Sequence, residues 1–130
     1  MDSHSEHILV LEDGDTYRSM VEHTLTQAGL RAATTATSVE ALLLARQRHF
    51  DLVIADYYLP DYPGTDFVRL LRQTDDYRNT PVILLTAWAD ELDRQQLCED
   101  LLILVLSKHC SMQRLLDAVF KCLAVVRLTA

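Results

Sequence analysis

Glycine and proline are scarce in this chain, with three of each among 130 residues. That scarcity excludes a collagen-like or low-complexity segment. Hydrophobic residues make up 49% of the chain and charged residues 24%, as in an ordinary globular protein. The length predicts one domain with an adequate core and no room for a second folded domain.

Positive charge is also in short supply. Twelve Lys and Arg stand against 19 Asp and Glu, a net charge of -7, which argues against a protein that binds nucleic acid through its phosphates. The polar first seven residues lack the pattern of a signal peptide, and no apolar run is long enough to cross a membrane. Three cysteines without metal-ligand spacing predict reduced thiols and a cytoplasmic location: Cys98, Cys110 and Cys122.

Short apolar runs alternate with amphipathic segments along the chain. The runs predict strands over 8–11, 30–36, 52–55, 82–85 and 101–106. Helices are predicted over 16–28, from a capping box at Thr37 and Glu40 to about Arg48, after Gly64, over 90–98, and after Ser111. Their expected apolar faces contain Tyr17, Met20, Val21 and Leu25; Phe67, Leu70 and Leu71; and Met112, Leu115, Leu116, Val119, Phe120 and Leu123. The alternation predicts a doubly wound α/β fold with a five-stranded parallel sheet.

Polar side chains follow four of the five predicted strands. Glu12 and Asp13 follow the first strand, Asp56 the third, Thr86 the fourth, and Lys108, after Ser107, the fifth. Ligands of open parallel sheets bind at the carboxyl ends of the strands, so we expect these side chains to form one site.

The chemistry of these side chains favours phosphoryl transfer. Three clustered carboxylates need a cation, and an all-oxygen set favours Mg²⁺. With Mg²⁺ held by Glu12, Asp13 and Asp56, the carboxylate of Asp56 could attack a phosphoryl group while Thr86 and Lys108 neutralise the phosphoryl oxygens. The alternative is a set of ordinary loop-start and N-cap residues.

Three stretches together resemble the receiver domains of two-component response regulators. They are Ile-Leu-Val-Leu-Glu-Asp over 8–13, Phe-Asp-Leu-Val-Ile-Ala-Asp-Tyr-Tyr-Leu-Pro over 50–60, and Pro-Val-Ile-Leu-Leu-Thr-Ala over 81–87, with Lys108 at family-like spacing. The resemblance covers about 7–126 and implies a flexible start over 1–6, a tail over 127–130, and a flavodoxin-like sheet in strand order 2-1-3-4-5.

The resemblance also assigns roles and partners. Asp56 would be the phosphoacceptor, and the backbone carbonyl of Tyr58 would join the three carboxylates as a Mg²⁺ ligand. Thr86 and Lys108 would contact the phosphoryl oxygens. A sensor histidine kinase or phosphotransfer protein would donate the phosphoryl group, and a stand-alone receiver of the chemotaxis type would signal by binding a separate downstream protein.

Several positions depart from the family pattern. Glu12 replaces a frequent Asp but keeps its charge. His109 replaces the proline that usually follows the lysine in this family, where the peptide bond between the two residues is cis. Lys108–His109 is therefore either a strained cis bond or a trans bond that shifts the ammonium. Val105 replaces a switching aromatic, and Leu101 and Leu102 replace a small, glycine-containing loop. We therefore expect the chemistry to be retained and the relay to the surface to be altered.

Two aromatics flank the expected site, Tyr58 and, next to Ala87, Trp88. They either pack as ordinary loop residues or shield an acyl phosphate from water. The apolar run over 101–106 would make an exposed sheet edge unusually hydrophobic. Of the two explanations, coverage by helices and a homodimer through the fourth predicted helix, fifth strand and last helix, we favour the dimer.

Two other classes of function compete with a phosphorylated receiver. The departures support a pseudo-receiver, an interaction module whose state phosphate does not set. The intact site residues oppose it and leave the phosphorylated receiver as the leading interpretation: Glu12, Asp13, Asp56, Thr86 and Lys108. An enzyme, either a Mg²⁺-dependent phosphatase or a nucleotide-binding flavodoxin-like protein, is the third class. The phosphatase would need a second Asp where this chain has Tyr58, and the acidic loop after the first strand would repel a nucleotide phosphate.

Overall fold

A computed structural model describes residues 6–87 and 103–129. Its five parallel strands are β1 (His7–Leu11), β2 (Arg31–Thr35), β3 (Leu52–Asp56), β4 (Val82–Thr86) and β5 (Ile103–Ser107). They form one sheet in the order β2-β1-β3-β4-β5, which confirms the predicted doubly wound, flavodoxin-like topology.

Four α-helices and one 3₁₀ turn are described between and after these strands. They are α1 (Asp15–Gln27), α2 (Ser38–Gln47), α3 (Gly64–Arg72), the 3₁₀ turn Asp75–Tyr77, and the C-terminal helix α4 (Met112–Thr129). The helix predicted over 90–98, together with Leu101 and Leu102, lies outside the described residues. Within the described ranges, no helix is both long and apolar enough to cross a membrane.

The sheet separates two hydrophobic clusters, one on each face, because successive side chains of a strand point to opposite sides. Ile8 and Val10 of β1 pack with α1 and α4, whereas Leu9 and Leu11 pack with α2 and α3. Strands β3 and β4 are buried along their whole length. This double burial explains why these strands are apolar up to their last residues, Asp56 and Thr86.

The helices bury narrower stripes than their sequences predict. Met20, Leu70 and Phe120 were expected on buried faces, yet they are 44%, 39% and 42% exposed. Val68 and Ala118 are buried in their helices instead. A helix resting on a sheet turns only part of its apolar arc inward, so residues at the edge of that arc face water.

Helix α2 is held at both ends by side chains. At its start, Thr37 Oγ1 accepts a 3.3 Å hydrogen bond from the N–H of Glu40, which confirms the predicted cap. Ser38 N and Val39 N also donate to the carboxylate of Asp61, at 3.1 Å each. At the other end, the buried hydroxyl of Tyr77 lies 2.6 Å from the carbonyl oxygen of Ala45. Both distant partners come from the segment after β3.

The predicted division of the chain, with a domain over 7–126 and flanking segments over 1–6 and 127–130, stays a prediction. Residues 1–5 lie outside the described part, and α4 runs through the other boundary to Thr129. Ser111 begins this helix as expected, since its hydroxyl accepts a 3.0 Å hydrogen bond from the N–H of Arg114.

Candidate functional site

The polar residues predicted at the strand ends meet at the carboxyl edge of the sheet. Asp56 is the last residue of β3 and Thr86 the last of β4, while Glu12 follows β1 and Lys108 follows β5. Strands β1 and β3 are neighbours although they are not consecutive. Such a reversal of strand order opens a crevice above the sheet, and the candidate site lies there.

Lys108 lies between the two buried carboxylates of the site. Its Nζ is 2.7 Å from Glu12 Oε1 and 2.9 Å from Asp56 Oδ2, and Glu12 and Asp56 are only 2% and 5% exposed. The lysine backbone is fixed as well, because Lys108 N donates a 2.9 Å hydrogen bond to the carbonyl oxygen of Thr86. One ammonium therefore compensates two carboxylates, which leaves an excess of negative charge.

The environment shifts the pKa values of two of these groups. Burial raises the pKa of Glu12, and the hydrogen bonds from Lys108 and from Gly14 N only partly oppose that effect. Burial alone would lower the pKa of Lys108, but the contacts with Glu12 and Asp56 outweigh burial and raise it. Lys108 is therefore a permanent cation at neutral pH.

The second oxygen of each buried carboxylate accepts a hydrogen bond from a backbone N–H two residues later in the chain. Gly14 N donates to Glu12 Oε2 at 2.7 Å, and Tyr58 N donates to Asp56 Oδ1 at 3.2 Å. With the ammonium on the other oxygens, both carboxylates are oriented from two sides. Such preorganisation is expected of a site that handles charge.

Asp13 completes an acidic cluster suited to a hard cation. One oxygen from each of Glu12, Asp13 and Asp56 lies within 4.8 Å of the other two, and Asp13 is exposed. Oxygen ligands with a partly open side fit Mg²⁺, which keeps several of its waters. The donor set present in the chain therefore fits the ion that the sequence predicts.

Arg18 is a site residue that the sequence analysis missed. Its guanidinium donates to the carbonyl oxygen of Glu12 at 2.9 Å and to Asp15 Oδ1 at 2.6 Å. It also reaches the carbonyl oxygen of Asp13, at 3.4 Å. The two contacts with carbonyl oxygens tie α1 to the loop that carries two of the three carboxylates. The only signal in the sequence was an arginine one turn into the first helix.

Gly64 is a second site residue that the sequence did not indicate, since its position served only to predict where a helix begins. A Cβ at this position would lie 2.5 Å from the carbonyl oxygen of Asp56 and 2.9 Å from Tyr57 Cα. Gly64 N also donates a 2.6 Å hydrogen bond to the carbonyl oxygen of Tyr57. The start of α3 thus packs directly on the backbone of the proposed phosphoacceptor, at a distance that only glycine permits.

The Lys108–His109 peptide bond is trans, as are the other peptide bonds of the described residues. The trans form settles the alternative left open by the sequence. The ammonium nevertheless contacts both carboxylates, so replacing proline by histidine does not remove Lys108 from the site. His109 is exposed, and its N–H lies 3.1 Å from Ser107 Oγ.

The remaining predicted positions surround this centre. Tyr58 is 56% exposed and packs edge-on against Tyr57, with ring centroids 4.8 Å apart. Val105 is partly buried against the cluster under α2 and α3, and Ala87 is exposed directly after β4. Trp88 lies outside the described residues.

The fold and the site together define a doubly wound α/β domain with an acidic, lysine-containing pocket where the strand order reverses. The family model described as response regulator receiver domain matches residues 8–120, and the chain belongs to this family. Receiver domains are signalling domains of two-component systems that interact with histidine kinases and downstream effectors, and a phosphoacceptor role is general among them.

Individual relatives agree with this assignment. The transcriptional regulatory protein AfsQ1 of Streptomyces coelicolor is 40% identical over 86 residues, which are 66% of this chain and 37% of that protein. The chain therefore matches little more than a third of AfsQ1.

Solved structures show the same fold. The chemotaxis protein CheY4 of Vibrio cholerae superposes with a TM-score of 0.86 and 29% identity, over 92% of this chain and 99% of that one. The receiver domain of the sensor histidine kinase PA1611 from Pseudomonas aeruginosa PAO1 has a TM-score of 0.83 and 25% identity, over 93% and 99% of the two chains. That structure has a magnesium ion coordinated in its active site cleft.

Proposed function

We propose that this chain accepts a phosphoryl group on Asp56 from a phosphohistidine of a sensor histidine kinase or phosphotransfer protein. The observation that carries the proposal is the buried carboxylate of Asp56, oriented by Tyr58 N on one oxygen and by the Lys108 ammonium, at 2.9 Å, on the other. A nucleophile held in one orientation beside a fixed cation is suited to in-line attack on phosphorus.

In the proposed transfer, a carboxylate oxygen of Asp56 forms a bond to phosphorus while the P–N bond to the donor imidazole breaks. The electron pair of that bond remains on the imidazole nitrogen, which then takes up a proton. Lys108 is positioned to follow the phosphoryl oxygens as charge develops on them. Thr86, buried at the end of the neighbouring strand, would contact another of these oxygens.

Glu12, Asp13, Asp56 and the backbone carbonyl of Tyr58 would hold Mg²⁺ in this site. When bound, the ion supplies positive charge against the phosphoryl oxygens. The residues themselves would position the ion. Glu12 is held by Gly14 N and Lys108, and Asp13 is exposed, so it lies on the side from which the donor would approach. The magnesium ion seen in the PA1611 receiver domain supports this assignment.

The domain would then act as a phosphoacceptor that catalyses only its own phosphorylation and dephosphorylation, and it would signal by binding an unidentified downstream protein or a second copy. The surface of β5 and α4, with the region predicted to form a helix over 90–98, is the proposed site of self-association. Side chains of β5 are only partly buried, with the exception of Leu106. We also propose a cytoplasmic location, because the number and spacing of the cysteines predict reduced thiols.

The second candidate is a pseudo-receiver whose binding state does not depend on phosphate. Two observations favour it. Val105 has no aromatic ring that could switch between two positions, and the trans bond before His109 departs from the family pattern. The intact contacts among Glu12, Asp56 and Lys108 favour the phosphorylated form.

Intact mass measurement after incubation with Mg²⁺ and acetyl phosphate separates these functions. A receiver gains the mass of one phosphoryl group, and Asp56→Asn abolishes the gain. Asp66→Asn, a change at an exposed carboxylate paired with Arg69, is the matched control and should leave the gain intact. No gain and no consumption of the donor in the wild-type chain would support the pseudo-receiver. Continuous consumption of the donor without a gain in mass would indicate a phosphatase.

The lifetime of the phosphorylated chain tests the proposed shielding role of the flanking aromatics. If Tyr58 and Trp88 exclude water from the acyl phosphate, Tyr58→Asn and Trp88→Ala should each shorten that lifetime. An unchanged lifetime in both variants would refute the shielding role without affecting the assignment of Asp56.

A further inference from the structure

Tyr17 lies beside the site without belonging to its acidic cluster. It is in the first turn of α1, where its half-buried ring packs on the cluster under α1 and α4 together with Cys110. The Nζ atom of Lys108 lies 5.0 Å from the centroid of this ring. An ammonium at this distance from an aromatic ring is attracted by the ring's electron density.

The backbone of Lys108 does not by itself define where the ammonium lies, so side-chain contacts must position it. The bond from Lys108 N to the carbonyl oxygen of Thr86 fixes the main chain, but a flexible stem of four methylene groups separates Cα from Nζ. Glu12 and Asp56 attract the ammonium strongly. An incoming phosphoryl group would compete for the same ammonium, whereas a neutral ring next to the lysine would not.

The hydroxyl of Tyr17 does not explain why an aromatic residue is placed here. This oxygen is buried and has no hydrogen-bond partner among the described residues, which normally costs stability. Burial also raises the pKa of Tyr17 to about 12, so the side chain stays neutral beside the carboxylates. The ring, rather than the hydroxyl, is the part of Tyr17 in contact with the site.

We propose that Tyr17 is a positioning residue for Lys108, with its ring holding the ammonium in line with Glu12 and Asp56. The proposal rests on the proposed function, because the ammonium is useful there only if Asp56 receives a phosphoryl group. The contact itself is seen in the structure independently of that role.

Two substitutions separate the ring from the hydroxyl, and a third is the control. Tyr17→Phe keeps the ring, Tyr17→Leu keeps an apolar side chain without a ring, and Val21→Ala removes buried volume from the same helix without touching Lys108. The phosphorylation rate with acetyl phosphate and Mg²⁺ should fall roughly fivefold in Tyr17→Leu, as expected for loss of a partly desolvated cation–π contact. It should stay within about twofold of wild type in Tyr17→Phe and Val21→Ala.

Two further measurements exclude a merely structural role. In a Lys108→Ala background, Tyr17→Leu should cause no additional loss of rate, because its effect acts through the lysine. The NMR signals of the Lys108 ε-methylene should be shifted upfield by the ring in wild type and Tyr17→Phe, and should lose that shift in Tyr17→Leu.

These results distinguish failure of the inference from failure of the proposed function. Equal rates in Tyr17→Leu and Val21→Ala, or an additional loss in the Lys108→Ala background, would overturn the positioning role. Absence of any phosphorylation in wild type would overturn the proposed function, and the NMR comparison would then decide on the contact alone. An ε-methylene signal of Lys108 without an upfield shift in the wild-type chain would overturn the contact between Lys108 and Tyr17.

Discussion

Substitution of Gly64 by alanine should be among the most damaging single changes in this domain. The new Cβ would lie 2.5 Å from the carbonyl oxygen of Asp56 and 2.9 Å from Tyr57 Cα, whereas ordinary contacts are about 3.5–4.0 Å. Because the obstructing atoms belong to the backbone, no side chain can rotate away. The start of α3 must move by roughly 1 Å from the end of β3.

The cost can be worked out from that displacement. Overpacking a rigid core costs about 1–3 kcal/mol. Moving α3 also strains or breaks the 2.6 Å hydrogen bond from Gly64 N to the carbonyl oxygen of Tyr57, which adds about 1 kcal/mol. We therefore expect Gly64→Ala to lower the free energy of unfolding by about 2–4 kcal/mol, a large part of the total stability of a small domain.

Urea denaturation followed by circular dichroism measures this loss, and Gly29→Ala is the matched control. Gly29 has a φ of +87° and no atom within 4 Å of its would-be Cβ, so alanine there costs about 1 kcal/mol through backbone conformation alone. Phosphorylation of Asp56 should slow in Gly64→Ala and stay unchanged in Gly29→Ala. Equal stability losses in the two variants would refute the argument that the contact with Asp56 requires glycine.

Three further predictions concern other described contacts. Burial opposes ionisation of Asp61, but hydrogen bonds from Ser38 N, Val39 N and its own N–H outweigh burial and lower the pKa of this carboxyl. Asp61→Ala should therefore destabilise the domain at neutral pH. The loss should be at most about 1 kcal/mol, because solvent screens a charge at an exposed site. The stability difference between wild type and Asp61→Ala should be complete above about pH 5 and should vanish as the pH falls below about 3.9 through the lowered pKa. A difference in urea midpoints that does not change with pH would contradict this. Tyr77→Phe should cost about 1–2 kcal/mol in the same assay, because two carbonyl oxygens at the end of α2 lose their shared hydroxyl donor. Lys108→Ala should bind Mg²⁺ at least about threefold more tightly in titration calorimetry, because the ammonium that competes with the ion for Glu12 and Asp56 is removed. Weaker binding would be evidence against this competition.

Local sequence was enough to predict the sheet and the centre of the site. Four strands contain continuous apolar runs, and polar residues follow those runs. Glu12, Asp56 and Lys108 could therefore be placed together from chain order and the rule for parallel sheets. The strand order came from the family resemblance, because apolar runs define strands without defining which ones are neighbours.

Contacts that depend on three-dimensional approach could not be predicted in this way. The bond between Asp61 and Ser38 spans 23 residues, and nothing in either local pattern indicates it. Leu70 is apolar and correctly spaced, but the shape of the sheet decides how much of the helix is covered, and this side chain remains exposed. The sequence indicated Gly64 only as the position before a helix, whereas its contact with Asp56 appears only when the two backbones are placed together.

The supports at the two ends of α2 have a consequence for the order in which this chain folds. Asp61 and Tyr77 come 14 and 30 residues after the last residue of α2, Gln47. A ten-residue helix is marginal by itself in water. During synthesis, α2 should therefore remain a transient helix until the chain through Tyr77 has emerged. It should then become stable at the same time as β3 and α3. Pulse-labelling hydrogen exchange would detect this as simultaneous protection of amides in α2 and α3, and early protection of α2 alone would exclude it.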